Sequence, residues 1–458
     1  METYNRNKLR SSFLIEDAED FSYKLRKSNY KFMFNSFLRQ LIGNDIWIER
    51  SILNDVRMFA YWDKKDIDIF RFLFCGHTID KDVLDEKLGV KSTKFLLSIN
   101  FAKLKEGILY TNGYSIVPIL DMFILISTPY EYNNNVTKFV DIYIGQDSFS
   151  MMNMISSKNF ENILDLCAGS GIQGFNAIKN NESFLTSIEI NENAYNSIKI
   201  NAAINGFYKN TFVKLADLYD GLEEKKFDCI LSNPPYVPAP QNINVPICGD
   251  GGENGFEIVD RIIKGYDKYL SKGGYAYMVL ECIGSDTQPY IIDVFNKYRT
   301  KGTLNIRVIT AIPVEMQIDY SINLISYLSD EEDRVSVRKE FERIFRENNA
   351  TKMYSVVIEY INNDVPLTIN RIDTDNISLN KKYKFNESVK FDKTKLAYTK
   401  IMVDNEPFLD INEKIFDNIK KNDSIRKILT DLKPEEYNEY MMIFSILNGN
   451  NILTFEGE

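Results

Sequence analysis

Ile163-Leu164-Asp165-Leu166-Cys167-Ala168-Gly169-Ser170-Gly171-Ile172-Gln173-Gly174 is the stretch on which the fold turns. An apolar run with one internal acid leads into a glycine-rich turn and then into residues able to form a helix. Glycines at the end of a strand let the backbone approach a ligand closely and adopt angles closed to other residues. By itself such a turn would suit NAD or FAD, so its surroundings must decide.

The next apolar run, Phe184 to Ile190, ends in Thr186-Ser187-Ile188-Glu189, with Glu189 18 residues after Gly171. An acid there is placed to accept hydrogen bonds from ribose hydroxyls. A third run, Thr211 to Leu215, leads to Asp217, which is placed to accept from an adenine amino group. A fourth, Phe227 to Ser232, stops at Asn233-Pro234-Pro235-Tyr236. Two prolines cannot continue a central strand, and Pro234 biases Asn233 towards an extended backbone. The loop thus presents fixed groups at the carboxyl end of a sheet, where ligands bind in open α/β folds. The Asn233 side-chain carbonyl and the Pro234 backbone carbonyl can each accept an N–H and so aim a nitrogen lone pair. Tyr236 can stack on a planar group.

The spacing predicts strands at Asn162–Cys167, Gly274–Glu281, Leu304–Ala311 and Lys352–Tyr360 besides those already named. It predicts helices at Gly171–Lys179, Asn193–Asn205, Phe256–Leu270, Pro289–Tyr298 and Glu332–Asn348. Alternation at this interval means a doubly wound α/β domain, placed at residues 151–365. Residues 1–150 read as a mostly helical accessory domain. Helices are expected at Asp80–Leu88 and at Thr93–Lys105, the latter capped by Ser92 and stopped by Gly107. A hairpin is expected about Asn112-Gly113. Helix, helix, hairpin is the order of a winged helix. Residues 366–458 read as a polar accessory region with helical stretches near Asn412–Leu429 and Pro434–Leu447.

At 458 residues the chain is too long for one ordinary core. A net charge of −10 argues against a constitutive nucleic-acid binder. The five scattered cysteines form no Cys-x-x-Cys pair and read as reduced thiols of a cytoplasmic protein. The single histidine, His77, reads as a loop or helix-end residue, and no metal site is expected. The longest apolar stretch, Ile116–Ile126, is interrupted by Pro118 and Asp121 and is too short to span a bilayer. Nothing in the sequence speaks to oligomeric state.

Asp165 to Gly171, Glu189 and Asp217, in that order, resemble the three successive cofactor motifs of class I S-adenosylmethionine-dependent methyltransferases. The resemblance implies a Rossmann-like sheet and S-adenosylmethionine as methyl donor. It implies cofactor contacts from Asp165, Cys167, Ala168, Gly169, Ser170, Gly171 and Gln173 near the methionine end. Glu189 with Ile190 would serve the ribose, and Asp217 with Leu218 the adenine; Asn233 also faces the cofactor. Asp147 and Ser148, in the block Asp141–Ser148, sit where such enzymes place a loop over the cofactor. Asn233 to Tyr236 is similar to the signature shared by release-factor glutamine methyltransferases and the small-domain N-methyltransferases, and implies catalytic roles for Asn233, Pro234, Pro235 and Tyr236. Gly249 to Phe256 is similar to the Asp-Gly-Gly segment of the glutamine methyltransferases. The expectation is an N-methyltransferase acting on an amide or amino nitrogen of a small molecule or peptide, such as a natural-product intermediate. The alternatives are methylation of a protein glutamine or of RNA and, from another class, non-catalytic binding of S-adenosylmethionine.

Overall fold

The computed structural model describes residues 8–37, 62–128, 141–155, 158–178, 182–240, 249–324, 331–373, 382–386, 389–393, 398–403 and 406–421, with short pieces at 427–428, 447 and 452–455. Cys248 and nearly all of the stretch Pro434–Leu447 lie outside the described residues. Two compact units are built from interleaved segments. One holds residues 1–149, 199–207 and 377–458, and the other 150–198 and 208–376.

The chain opens with α1 (Ile15–Lys27), α2 (Tyr30–Phe37) and α3 (Lys64–Leu73), then β1 (Ile79–Asp80), α4 (Lys81–Ser98), β2 (Ala102–Lys105), β3 (Ile108–Thr111), β4 (Tyr114–Ile119) and β5 (Met122–Ser127). Strands β1, β3 and β2 form one small sheet, and β4 and β5 another. The element order here is α3-β1-α4-β2-β3. The detail differs from expectation at three points. Asp80, not Ser92, caps α4, by accepting from the Asp82 N–H. Ser92 lies inside α4 beyond a kink at Gly89, which has φ 80°. Lys103 and Lys105 stand on a strand, because Glu106 and Gly107, at φ 51° and 81°, make the two-residue turn between β2 and β3. Positive φ at both positions matches the twist of paired strands. Asn112-Gly113 therefore links two sheets instead of turning a hairpin. The Asn112 amide is drawn elsewhere, its Nδ2 donating to the Asn100 carbonyl at 2.9 Å.

Helix α5 (Gln146–Ile155) precedes β6 (Asn162–Leu166), α6 (Ile172–Ala177), β7 (Phe184–Glu189), α7 (Glu192–Ile204), β8 (Thr211–Leu215), β9 (Phe227–Ser232), α8 (Glu257–Tyr269), β10 (Leu270–Gly284), α9 (Ile291–Tyr298), β11 (Lys301–Pro313), α10 (Val314–Leu324), α11 (Glu331–Glu347), β12 (Lys352–Pro366) and β13 (Thr368–Asp373). Eight strands make one sheet in the order β13-β11-β12-β10-β9-β6-β7-β8. Strand β12 is antiparallel to both neighbours, and every other pairing is parallel. Central strands of such sheets are covered on both faces and so read as unbroken apolar runs, as Ile163-Leu164 and Ile230-Leu231 do. Helix α8 buries Val259, Ile262, Ile263, Tyr266 and Tyr269, the i, i+3, i+4, i+7 pattern of one packed stripe. Together with β9, β10, β11 and β12 it builds the core of this unit. This is a Rossmann-like α/β fold.

Past residue 376 the chain runs mainly as strands, at β14 (Tyr383–Phe385), β15 (Val389–Lys393), β16 (Tyr398–Val403) and β17 (Glu406–Asn412), before α12 (Glu413–Lys420) and β18 (Leu453–Phe455). The helix expected near Asn412–Leu429 is thus shorter where described, and the polar stretch before it is a meander, β15-β16-β17. Within the first unit, α2 packs on β17, and the Lys400 ammonium sits 4.5 Å from the centre of the Phe32 ring. From Lys199 onward the residues of α7 also belong to this unit. There two asparagines one turn apart occupy the open edge of β5. Asn201 accepts from the Leu125 N–H at 2.7 Å and donates to its carbonyl at 3.2 Å. Asn205 does the same for Phe123 at 2.9 and 2.7 Å. The two side-chain amides stand in for the next strand, so a buried sheet edge keeps its hydrogen bonds.

Asn201 is fully buried. Asn201→Ala should cost roughly 2 kcal/mol, because it orphans a buried N–H and carbonyl, and should accelerate hydrogen exchange at the Leu125 amide. Unchanged exchange there would refute the edge-capping role.

Candidate active site at the carboxyl edge of the sheet

Strand order reverses between β6 and β9, and register brings the strand ends into line. Asp165 pairs with Ser187 on one side and Leu231 on the other, Leu166 with Ile188 and Ser232, and Glu189 with Leu215. The residues just beyond these pairs, Cys167 to Gly171, Ile190, Asp217 and Asn233, therefore emerge along one edge. This brings together most of the residues singled out from the sequence.

The glycine-rich turn is tightly specified. Gly171 has φ 81°, and a Cβ there would lie 2.7 Å from the Phe175 ring. A Cβ on Gly174 would lie 2.8 Å from Leu185 and 2.9 Å from Asp165 Oδ2. Gly169, at φ 57°, is the opposite case. A Cβ there would meet nothing among the described residues within 4 Å, so the backbone faces open space at this point. Ser170 and Gln173 are buried. Cys167 at φ 55° and Leu218 at φ 48° hold left-handed backbone without being glycine. Such strain gathers at ligand sites, and here it marks the exits of β6 and β8.

The three acids differ in their partners. Asp165 is buried, and its Oδ2 accepts from the Gly174 N–H at 3.1 Å. Burial pushes its carboxyl up to about 8, with the Gly174 hydrogen bond opposing and the charge of Glu189 adding to the shift. Glu189 is also buried and shifted upward by desolvation. Its Oε2 accepts from the Gly169 N–H and its Oε1 from the Asn191 N–H, both at 2.8 Å. The Ile190 N–H also bonds this carboxylate, which has about four acceptor positions in all, so a ribose hydroxyl can still be received. Asp217 is half-exposed, and Arg261 Nη2 donates to its Oδ2 at 2.8 Å. Ile190 beside Glu189 is 52% exposed, an apolar surface available to a ligand. These acceptors and the open ground above Gly169 fit an adenosine bearing a sulfonium side chain. Asp147 and Ser148 lie in the first turn of α5, within the other unit. The Ser148 N–H donates to Asp147 Oδ1 at 2.7 Å. No cluster of three or more His, Cys, Asp or Glu suited to a metal ion occurs among the described residues.

Asn233 and Tyr236 are half-buried, and Tyr236 packs against the core. The segment 249–256, which the sequence marked without assigning it a part in the site, braces the chain at and just after this tetrapeptide. Val237 donates to the Gly249 carbonyl at 2.8 Å, Gly251 to the Val237 carbonyl at 3.0 Å and Ala239 to the Gly252 carbonyl at 2.9 Å. A Cβ on Gly251 would lie 2.7 Å from the Tyr236 backbone, and Gly255, at φ 80°, would press one onto the Tyr236 carbonyl. The glycines are thus required by close approach of two backbones. Arg343 of α11 anchors the same segment through Glu253 at 2.7 Å.

Cofactor-free protein should lose stability as pH rises from about 4 through about 8. Asp165 keeps its proton in the fold over that window, whereas the unfolded chain gives it up. Asp165→Asn should flatten part of this decline when denaturation midpoints are compared between pH 5 and 8; parallel profiles would contradict the assignment.

Residues 139–306 match the methyltransferase small domain family. A protein of Methanocaldococcus jannaschii named as a protein N5-glutamine methyltransferase is 32% identical over 28% of this chain and 66% of its own length. The release factor glutamine methyltransferase of Thermodesulfovibrio yellowstonii is 33% identical over 25% and 45%. The ribosomal protein uL3 glutamine methyltransferase of Francisella tularensis is 31% identical over 24% and 38%. The chain thus spans between 38% and 66% of the length of these three curated relatives. With the sheet order and the site at its carboxyl edge, the match identifies residues 139–306 as a methyltransferase domain of the S-adenosylmethionine-dependent, Rossmann-like class.

Proposed function

We propose that the protein transfers a methyl group from S-adenosylmethionine to the side-chain amide nitrogen of a glutamine in a protein or peptide. What carries the reading is the alignment of Asn233-Pro234-Pro235-Tyr236 with three acid-bearing strand ends at a single sheet edge. The names of the relatives favour a protein glutamine over the small-molecule acceptor expected from sequence. They also favour a cytoplasmic setting, among components of translation. No helix among the described residues is long and apolar enough to cross a membrane.

The donor supplies an electrophilic methyl group when bound. Glu189 would hold the ribose, Asp217 the adenine and the Cys167–Gly171 turn the methionine end. On the acceptor side, the Asn233 Oδ1 and the Pro234 carbonyl each take one N–H of the amide. This directs the nitrogen lone pair at the methyl group and offsets the positive charge growing on nitrogen. Tyr236 stacks on the planar amide. The proton can leave after transfer, so no strong base is needed.

RNA is the weaker acceptor. The lysines on α4 that would face a nucleic acid are largely neutralised, Lys87 by Asp63 and Asp66 at 3.1 and 2.7 Å, Lys91 by Glu16 at 3.4 Å and Lys81 by Asp85. Exposed, and without such partners among the described residues, are Lys94, Lys103 and Lys105.

With labelled S-adenosylmethionine, label should enter glutamine-containing peptides or ribosomal proteins. Asn233→Ala should lower turnover on the order of 10²–10³-fold while S-adenosylhomocysteine affinity stays within about threefold. Label appearing in RNA alone, or full activity of the variant, would overturn the proposal.

A further inference from the structure

Asp217 and Arg261 are 44 residues apart in sequence and form an ion pair at 2.8 Å. Both side chains are about two-fifths exposed, which by itself would make this an ordinary surface contact. Its setting is different, because both backbones are locked and tied to one another. Ala216 donates to the Glu189 carbonyl and Asp220 to the Asp217 carbonyl, each at 3.0 Å, while Leu218 between them is held at positive φ. Tyr219 donates from its hydroxyl to the Ile262 carbonyl at 2.8 Å, one residue beyond Arg261. Its ring stacks on Tyr269 with centroids 4.6 Å apart and planes within 2°. Gly265, one turn past Arg261, leaves the space that ring occupies. Helix α8 and the Asp217–Tyr219 segment therefore form one rigid piece, and Arg261 projects from it at a fixed place.

We infer that Arg261 sets the base selectivity of the cofactor site by fixing which oxygen of Asp217 faces the base; this rests on the reading of Asp217 as the adenine-facing acid. The guanidinium holds Oδ2, and Oδ1 has no partner among the described residues. The charges of Asp217, Asp220 and Glu257 all act on Arg261, and an arginine cannot give up its proton to relieve them. A carboxylate oxygen can only accept. It therefore suits the exocyclic amine of adenine and opposes a 6-oxo purine, which presents an acceptor at that position. With Arg261 removed, the carboxylate is free to rotate and that preference weakens. Arg261 is a positioning residue, since it acts on the base through Asp217.

The test compares dissociation constants for S-adenosylhomocysteine and S-inosylhomocysteine in wild type, Arg261→Ala, Arg261→Gln and Asp217→Asn. Arg261→Ala should weaken the adenine ligand by about tenfold and leave the hypoxanthine ligand within about twofold, so that discrimination collapses. Arg261→Gln, which keeps the stem and most of its packing, should lose discrimination too, and it answers the question if the alanine variant does not fold. If both ligands weaken equally, or if neither changes, the inference is wrong. Asp217→Asn separates the two readings. Unchanged affinity for the adenine ligand in that variant removes the adenine assignment itself. Weakened affinity there, with wild-type discrimination in the Arg261 variants, removes only the role of Arg261.

Discussion

The reversal of strand order at β6 governs the arrangement of the site. The chain leaves β6 towards β7 and β8, then returns to place β9 on the other side. Loops leaving adjacent strands in opposite directions open a crevice above their carboxyl ends. Parallel pairing then converts sequence into position, because Asp165 lies level with both Ser187 and Leu231. Residues one or two places beyond those levels must emerge at the crevice. The cost appears in the same place. Asp165 is a carboxyl group inside a central strand with one backbone N–H for a partner, and its retained proton is what makes that burial tolerable. Cys167 and Leu218 carry the remaining cost as left-handed backbone at the exits of two strands.

This part of the molecule was legible in sequence for a physical reason. Central strands covered on both faces must be largely apolar, so Phe227–Ser232 could be bounded to the residue. Polar groups at their ends stand out against that background. The accessory regions obey weaker rules. The Asn112-Gly113 signal was overridden because Asn112 finds a better partner in Asn100, while Glu106 accepts the positive φ that a turn beside Gly107 demands. Strands β15 to β17 form a small three-stranded sheet of their own. Their lysines and aspartates hide the alternation by which a half-buried strand is usually found. The edge-capping by Asn201 and Asn205 had no local signal at all, since two asparagines on a helix look the same whether or not a strand edge awaits them.

The partners of the site residues were illegible for another reason. Arg261 and the glycines at 251 and 255 matter through elements distant in sequence or through backbone contact, and neither leaves a trace in residue type. Gly251 is required because Tyr236 lies against it. A sequence reader sees only a glycine in a loop already rich in them.

These contacts share one element. The segment entering α8 braces the backbone at Tyr236, and a turn further on α8 carries the arginine that pairs with Asp217. The helix itself is pinned by its buried stripe and by Tyr219. The Asn233–Tyr236 loop and Asp217, to which the proposed function gives the acceptor and the base, are therefore set by the same rigid body and do not depend on two loops finding their places independently. Methyl transfer by in-line displacement tolerates little error in the distance and angle between donor and acceptor. A site whose two halves share one helix meets that tolerance before either ligand arrives, and preorganisation of this kind is where such a reaction gains most from its protein.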